Sequence, residues 1–410
     1  MKVGVIDGAC RSLGGHHLTS LQVIRKALPD QQPVFHVHRD ADPQITDLLG
    51  EVRFDFTTDP YRPTGQRQRK AKRKWLWHAY QLGRRLRGKP VDVLDGSYHR
   101  HDLAAIVRQY GHGDHLAIPT TRADMLASLL DVVESVAPDS LPHLHLRFLE
   151  YAGEHDRALA DRSFSRLATF ALSGAPVSLY CETETLRQYL ANSFGLESIE
   201  LCILQPPPPD ADAQTQVERP DGFIRVGFLG GARRDKGYFR LPAIIAAAVR
   251  QETPETTPSL RFVLQVPGGK EEDWLRAKLA DDEALSEDQL ELVRGPLDED
   301  RFSALLAGCD ILLLPYSNRY TLRHMGSGLL IDARINGIPV VCTPHDTLTE
   351  FISAETGKVA ETDGDLGRAL ASIAGDLDRY REAATREEAD YRDLWRTNAL
   401  VSRLRGERGA

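Results

Sequence analysis

The segment Gly230-Gly231-Ala232-Arg233-Arg234-Asp235-Lys236-Gly237 follows an apolar run, Ile224–Leu229, that reads as a strand. Glycines let a backbone come close to a ligand, so Arg233 and Lys236 can converge on one anion from a strand-to-helix turn. The segment matches neither the G-x-x-x-x-G-K-[ST] phosphate loop nor the G-x-G-x-x-G dinucleotide turn. Taken alone, it also fits a surface turn with solvated charges. A second segment, Leu312–Pro344, adds weight to the ligand reading. It runs LLLPYSNRYTLRHMGSGLLIDARINGIPVVCTP: a buried strand, a polar loop, a glycine-marked helix start, a short helix and another buried strand. Such a unit sets the loop and the helix N-terminus at the carboxyl edge of a parallel sheet, where N–H groups and the helix dipole attract anions. Arg323 supplies a further cation and Asp332 a carboxylate able to bind hydroxyls. A phosphorylated sugar derivative requires all three.

Two other segments carry chemistry. Leu13-Gly14-Gly15-His16-His17 follows the first strand, and its glycine pair again permits close approach of a ligand. His16 and His17 could contribute, although capping or packing is the commoner role for such histidines. Tyr61–Val91 holds eleven Lys or Arg residues and no acid, with Trp75 and Trp77 among them. Basic residues interleaved with tryptophan suit an anionic bilayer surface, which makes 62–89 a candidate for peripheral membrane binding. A solvated helix face is the alternative. Nucleic acid is disfavoured because no recognised module accompanies the patch. His112 and His115 read as merely polar turn residues.

These residues need a scaffold that brings strand ends together. Val3–Ile6, Val34–His38, Val91–Leu94, His115–Ile118, His143–Phe148 and Val177–Tyr180 read as strands with helical stretches between most of them. The pattern restarts at Ile224–Leu229 and continues through Arg261–Val266, Glu291–Val293, Ile311–Leu314 and Pro339–Cys342. Alternation of this kind predicts two doubly wound, mostly parallel sheets. Four consecutive prolines, Pro206–Pro209, cannot extend a helix or a central strand and mark a linker over 206–222. The expected domains are therefore 1–205 and 223–385, with 386–410 as a helix that crosses back to the first.

Composition narrows the class. At 410 residues and 41% apolar, the chain suits two packed cores, and a net charge of −8 argues against general nucleic-acid binding. Five scattered cysteines without CxxC spacing read as reduced and buried, not as disulfides or a zinc site. No metal motif is present, and neither a signal peptide nor a membrane span is evident, so a cytoplasmic protein is expected.

FLGGARRDKGYFRLP, followed by PYSNRYTLRHMGSGLLIDARINGIPVV, resembles the donor-binding domain of family 4 glycosyltransferases, which have the GT-B fold. The resemblance is strong over roughly Arg225–Ile352 and weaker elsewhere, including GGHHLTSL near the N-terminus. It implies two Rossmann-like domains facing a cleft. In the second, Gly231, Arg233 and Lys236 hold the diphosphate of a nucleotide-sugar. Backbone N–H groups of Ser327, Gly328 and Leu329 bind phosphate, and Asp332 takes the place of a ribose-binding glutamate. The family's first glutamate falls on His324, so Arg323 is the substitute sugar contact that the sequence suggests. Gly14, Gly15 and His16 fall on a loop that touches donor phosphates or acceptor. Arg147 falls where many relatives carry a cleft histidine, which makes it a candidate cation, with a structural salt bridge as the equal alternative. The activity implied is glycosyl transfer to a hydroxyl acceptor such as a glycan or lipid-linked intermediate, with retention and without metal or other cofactor. A sugar-nucleotide epimerase on the same fold, or a non-catalytic scaffold protein derived from such an enzyme, are the rival readings.

Overall fold

The computed structural model describes residues 1–58, 99–152, 157–206, 222–251, 259–280, 285–295, 297–396 and 398–407. The expected strand Val91–Leu94 and the whole basic run Tyr61–Val91, with 62–89 in it, lie outside the described residues. The chain divides into two compact units, Met1–Leu204 with Asn398–Ala410, and Gln205–Thr397.

Among the described residues the first unit holds seven parallel strands, β1 (Val3–Asp7), β2 (Val34–His38), β3 (Val52–Phe56), β4 (His115–Ile118), β5 (His143–Phe148), β6 (Val177–Cys181) and β7 (Glu200–Leu201). Their order is β3-β2-β1-β4-β5-β6-β7. One face carries Leu116, Ile118, Leu144, Leu146 and Phe148 into a core with the helices Ala123–Val133 and Arg157–Leu172. Because strand side chains alternate, the opposite face of the same strands carries His115, His143 and His145, with Ser178 and Tyr180 beside them. His115 is thus part of a stack and not a polar turn residue. Its Nδ1 lies 2.8 Å from His145 Nε2, while His145 Nδ1 lies 3.0 Å from Tyr180 Oη. Burial, then the neighbouring imidazoles and Arg403, push the His145 pKa down to about 2; the same causes push that of His143 down to about 4. The C-terminal segment closes this unit. Asn398 caps the helix Ala399–Leu404 and donates to Ile203 O at 2.8 Å, and Arg403 donates to Ser178 Oγ at 2.8 Å.

The second unit holds β8 (Ile224–Phe228), β9 (Leu260–Val266), β10 (Leu290–Arg294), β11 (Ile311–Leu314), β12 (Val340–Cys342) and β13 (Gly357–Val359), ordered β10-β9-β8-β11-β12-β13 and parallel throughout. All four residues of β11 are fully buried, as expected of a strand covered on both faces. The long helix Leu377–Arg396 belongs to this unit, and the chain rejoins the first unit at Asn398. Both sheets are doubly wound and Rossmann-like, as the sequence predicts. The order of each reverses at one place, between β1 and β4 and between β8 and β11. Crossovers leave in opposite directions there, which opens a crevice at the carboxyl ends of the strands. Among the described residues no helix is long and apolar enough to cross a membrane.

Candidate functional site

The crevice of the second sheet is formed by the loops after β8 and β11, the two segments that carry Arg233, Lys236, Arg323 and Asp332. The loops are pressed together. Ser317 N donates to Asp235 O at 2.9 Å, and Gly237 adopts φ 81° with its backbone against Pro315. A Cβ at Gly237 would stand 2.0 Å from Pro315 O, so only glycine fits. Gly230 serves differently. Its missing side chain leaves room for Lys236, whose Cδ would lie 2.7 Å from an added Cβ.

Lys236 is thereby laid across the loop with Nζ 5.5 Å from the centre of the Tyr316 ring. Burial first, and the charge of Arg233 second, lower its pKa from 10.5 to about 8, against the opposing pull of Asp235 and Asp332. An ammonium held down in this way gains from any anion that arrives. Arg233 is turned by Asp235, which accepts from Nε at 3.1 Å and pairs with the other end of the guanidinium. That hydrogen bonding raises the Arg233 pKa, so its charge is permanent, while the group remains exposed.

The other wall is the helix Gly328–Ile335. Ser327 caps it, its Oγ accepting from Leu330 N at 3.3 Å and lying 3.0 Å from Tyr316 Oη. The N–H groups of Gly328 and Leu329 belong to the first turn, where the dipole favours anions. Asp332 follows one turn later, and its Oδ1 accepts from Gln205 Nε2 at 2.8 Å. Arg323 ends the short helix Arg319–Arg323, and His324 caps that helix at φ 47° and ψ 41°, a left-handed conformation costly for a residue with a Cβ. Gly231, Arg233, Lys236, Ser327, Gly328, Leu329 and Asp332 therefore lie on the two segments that leave β8 and β11 at the switch point, with Arg323 and His324 also on the β11 segment.

Sequence reasoning missed the supports of that loop. His345 is 3% exposed; its Nδ1 lies 2.6 Å from Thr321 Oγ1 and its Nε2 3.0 Å from Tyr316 O. Thr343 Oγ1 donates to Tyr316 O at 2.9 Å and Thr347 Oγ1 to Met325 O at 2.9 Å. Three polar side chains just past β12 thus fix the loop after β11. The TPHDT spacing after a buried strand was their only signal.

In the first unit, Gly14, Gly15 and His16 sit at the β1 side of the switch point, with Gly15 as N-cap of the helix His16–Ala27 at φ 89°. His16 is exposed, its ring centre 4.1 Å from that of His17 at a tilt of 38°, and His17 Nδ1 lies 2.8 Å from Asp7 Oδ2. Arg147 takes the structural alternative. It is 3% exposed and donates to Cys202 O at 2.7 Å, Pro119 O at 3.1 Å and Glu182 Oε1 at 2.8 Å, so three of its five N–H groups are used inside the protein. Among the described residues no group of three or more His, Cys, Asp and Glu is placed to hold a metal ion.

No family model matches the sequence, and no curated protein does. Solved structures do. A glycosyltransferase from Rickettsia africae is 13% identical, with TM-score 0.62 and 98% of each chain covered. Anabaena Alr3699/HepE in complex with UDP-glucose is 12% identical, with TM-score 0.61 and 100% of each chain covered. Sucrose-phosphate synthase from Thermosynechococcus elongatus is 14% identical, with TM-score 0.61, covering 99% of this chain and 97% of the other. At these identities the likeness establishes the GT-B type of fold.

Proposed function

We propose that this protein is a glycosyltransferase that moves a sugar from a nucleoside-diphospho-sugar to a hydroxyl acceptor. One arrangement carries the reading: the turn with Arg233 and Lys236 and the helix start with Ser327 and Asp332 follow the two strands at the switch point of the second sheet, and Lys236 lies over Tyr316, whose hydroxyl is 3.0 Å from Ser327 Oγ. A diphosphate needs the cations and the N–H groups of Gly328 and Leu329; a ribose needs the Asp332 carboxylate. Several structures of the same fold hold UDP or a UDP-sugar, which agrees with such a donor.

Lys236 and Arg233 would neutralise the charge that grows on the leaving diphosphate, in the place of a metal ion. Arg323 and His324 would face the transferred sugar, and Gly14, Gly15 and His16 would serve the donor phosphates or the acceptor. The departing phosphate would accept the acceptor proton, a route that leaves the anomeric configuration retained. The acceptor class is a glycan or lipid-linked intermediate, reached in the cytoplasm, with 62–89 giving peripheral attachment to an anionic membrane.

Incubation with a panel of UDP-, GDP- and dTDP-sugars, read as nucleoside diphosphate release with and without glycan acceptors, tests this. Release by the wild type and its loss in an Arg233→Ala/Lys236→Ala variant are expected. A wild type that neither binds nor turns over any donor refutes the assignment.

A further inference from the structure

The donor reading leaves one contact unexplained. Gln205 is the first residue of the second unit, far in sequence from the crevice, yet its side chain ends on the candidate ribose carboxylate. Nε2 donates to Asp332 Oδ1 at 2.8 Å and to Gly328 O at 3.1 Å, so both amide protons are directed at the helix Gly328–Ile335. The other end of the residue is held as well. Tyr391 Oη, from the helix Leu377–Arg396, donates to Gln205 O at 2.5 Å. A residue gripped at its backbone by one helix and at its amide by another cannot swing freely.

We infer that Gln205 is a positioning residue for ribose recognition: it fixes the carboxylate of Asp332 so that its remaining acceptor sites meet the vicinal hydroxyls of the donor ribose. The chemistry requires such a support. An aspartate is one methylene shorter than glutamate, and a carboxylate free to rotate loses part of its bond energy in being ordered. A carboxylate offers about four acceptor sites, so a neutral donor such as the Gln205 amide occupies one of them and leaves the charge in place. A lysine or arginine in this place would neutralise Asp332 and compete with the diphosphate site for it. The inference rests on the donor reading of the crevice and adds a residue outside it.

The test separates the two. Wild type, Gln205→Ala, Gln205→Glu and Tyr391→Phe are titrated with UDP, GDP and ADP, with the 2′,3′-dideoxy form of each, and with inorganic pyrophosphate. The wild type should prefer the best ribonucleotide to its dideoxy form. Gln205→Ala should reduce that preference about tenfold, the scale of a hydrogen bond to a charged group, while pyrophosphate affinity and the thermal midpoint stay unchanged. Gln205→Glu should remove the preference, because it sets a second carboxylate against Asp332, and Tyr391→Phe should reduce it by a smaller factor. Equal weakening of all ligands by Gln205→Ala, or an undiminished ribose preference, overturns the inference while leaving the donor site standing. A wild type that ignores the ribose hydroxyls overturns the role of Asp332, and one that binds no nucleotide overturns the donor reading.

Discussion

Raising the pH from 7 to 9 should weaken nucleoside diphosphate binding about tenfold by discharging one residue, Lys236. Its ammonium is depressed to about 8, burial being the main cause and the Arg233 charge the second. The ligand binds the protonated form, so affinity is full below that value and is lost as pH rises through it. About nine-tenths of the groups are charged at pH 7 and about one-tenth at pH 9, which is the tenfold factor, or about 1.4 kcal/mol. The other groups at the phosphates should change little over that range. Arg233 is held charged by Asp235, and a terminal phosphate, with its second pKa near 6, is already about nine-tenths ionised at pH 7. Calorimetric titration with UDP at pH 7, 8 and 9 reads the effect, and buffers of different ionisation enthalpy read the accompanying proton uptake. Lys236→Arg, whose guanidinium stays charged, should bind with little pH dependence. Affinity that is flat to pH 9, or a decline of the same size in Lys236→Arg, refutes the assignment of Lys236 to the phosphates.

Three further outcomes follow from the geometry. Gly237→Ala places a Cβ 2.0 Å from Pro315 O at φ 81° and should cost about 3 kcal/mol or more in urea unfolding, whereas Gly14→Ala, with nothing within 4 Å, should stay within about 0.5 kcal/mol. Arg147→Met removes the arginine partner of the buried Glu182 and should destabilise the first unit by about 3–5 kcal/mol, with Arg147→Met/Glu182→Leu recovering most of the loss. The histidine stack should make that unit acid-sensitive. His143 and His145 stay neutral in the fold while the unfolded chain protonates near pH 6.5, so stability is full at pH 7 and falls below 6.5, by about 4 kcal/mol for the pair at pH 5. Hydrogen exchange of β4–β6 peptides in urea at pH 7 and 5 checks it; a His143→Gln/His145→Gln variant should lose much less between the two.

The fold was legible where the physics is local. Ile311–Leu314 and His143–Phe148 are strands at the expected positions because an apolar run between helical stretches has few other uses. Val52–Phe56 and Gly357–Val359 escaped notice for the opposite reason. Arg53 and Phe54 are exposed and β13 has three residues, so an edge strand carries little apolar signal. The placement of the glycines and cations after two neighbouring strands, β8 and β11, was legible from the apolar runs that precede them. The supports of those segments were not. Gln205 reaches Asp332 across 127 residues and His345 reaches Thr321 across 24, and such pairings exist only once the chain is folded. Arg147 shows the same limit from the other side, because an arginine at a strand end looks alike whether it faces a ligand or Glu182.

A crystal structure with bound UDP examines the central claim most directly. The diphosphate is expected between Lys236 Nζ, the Arg233 guanidinium and the amides of Gly328 and Leu329, with the ribose hydroxyls on Asp332. Density for the nucleotide anywhere else, with Lys236 still lying over Tyr316 and touching no phosphate, would contradict it.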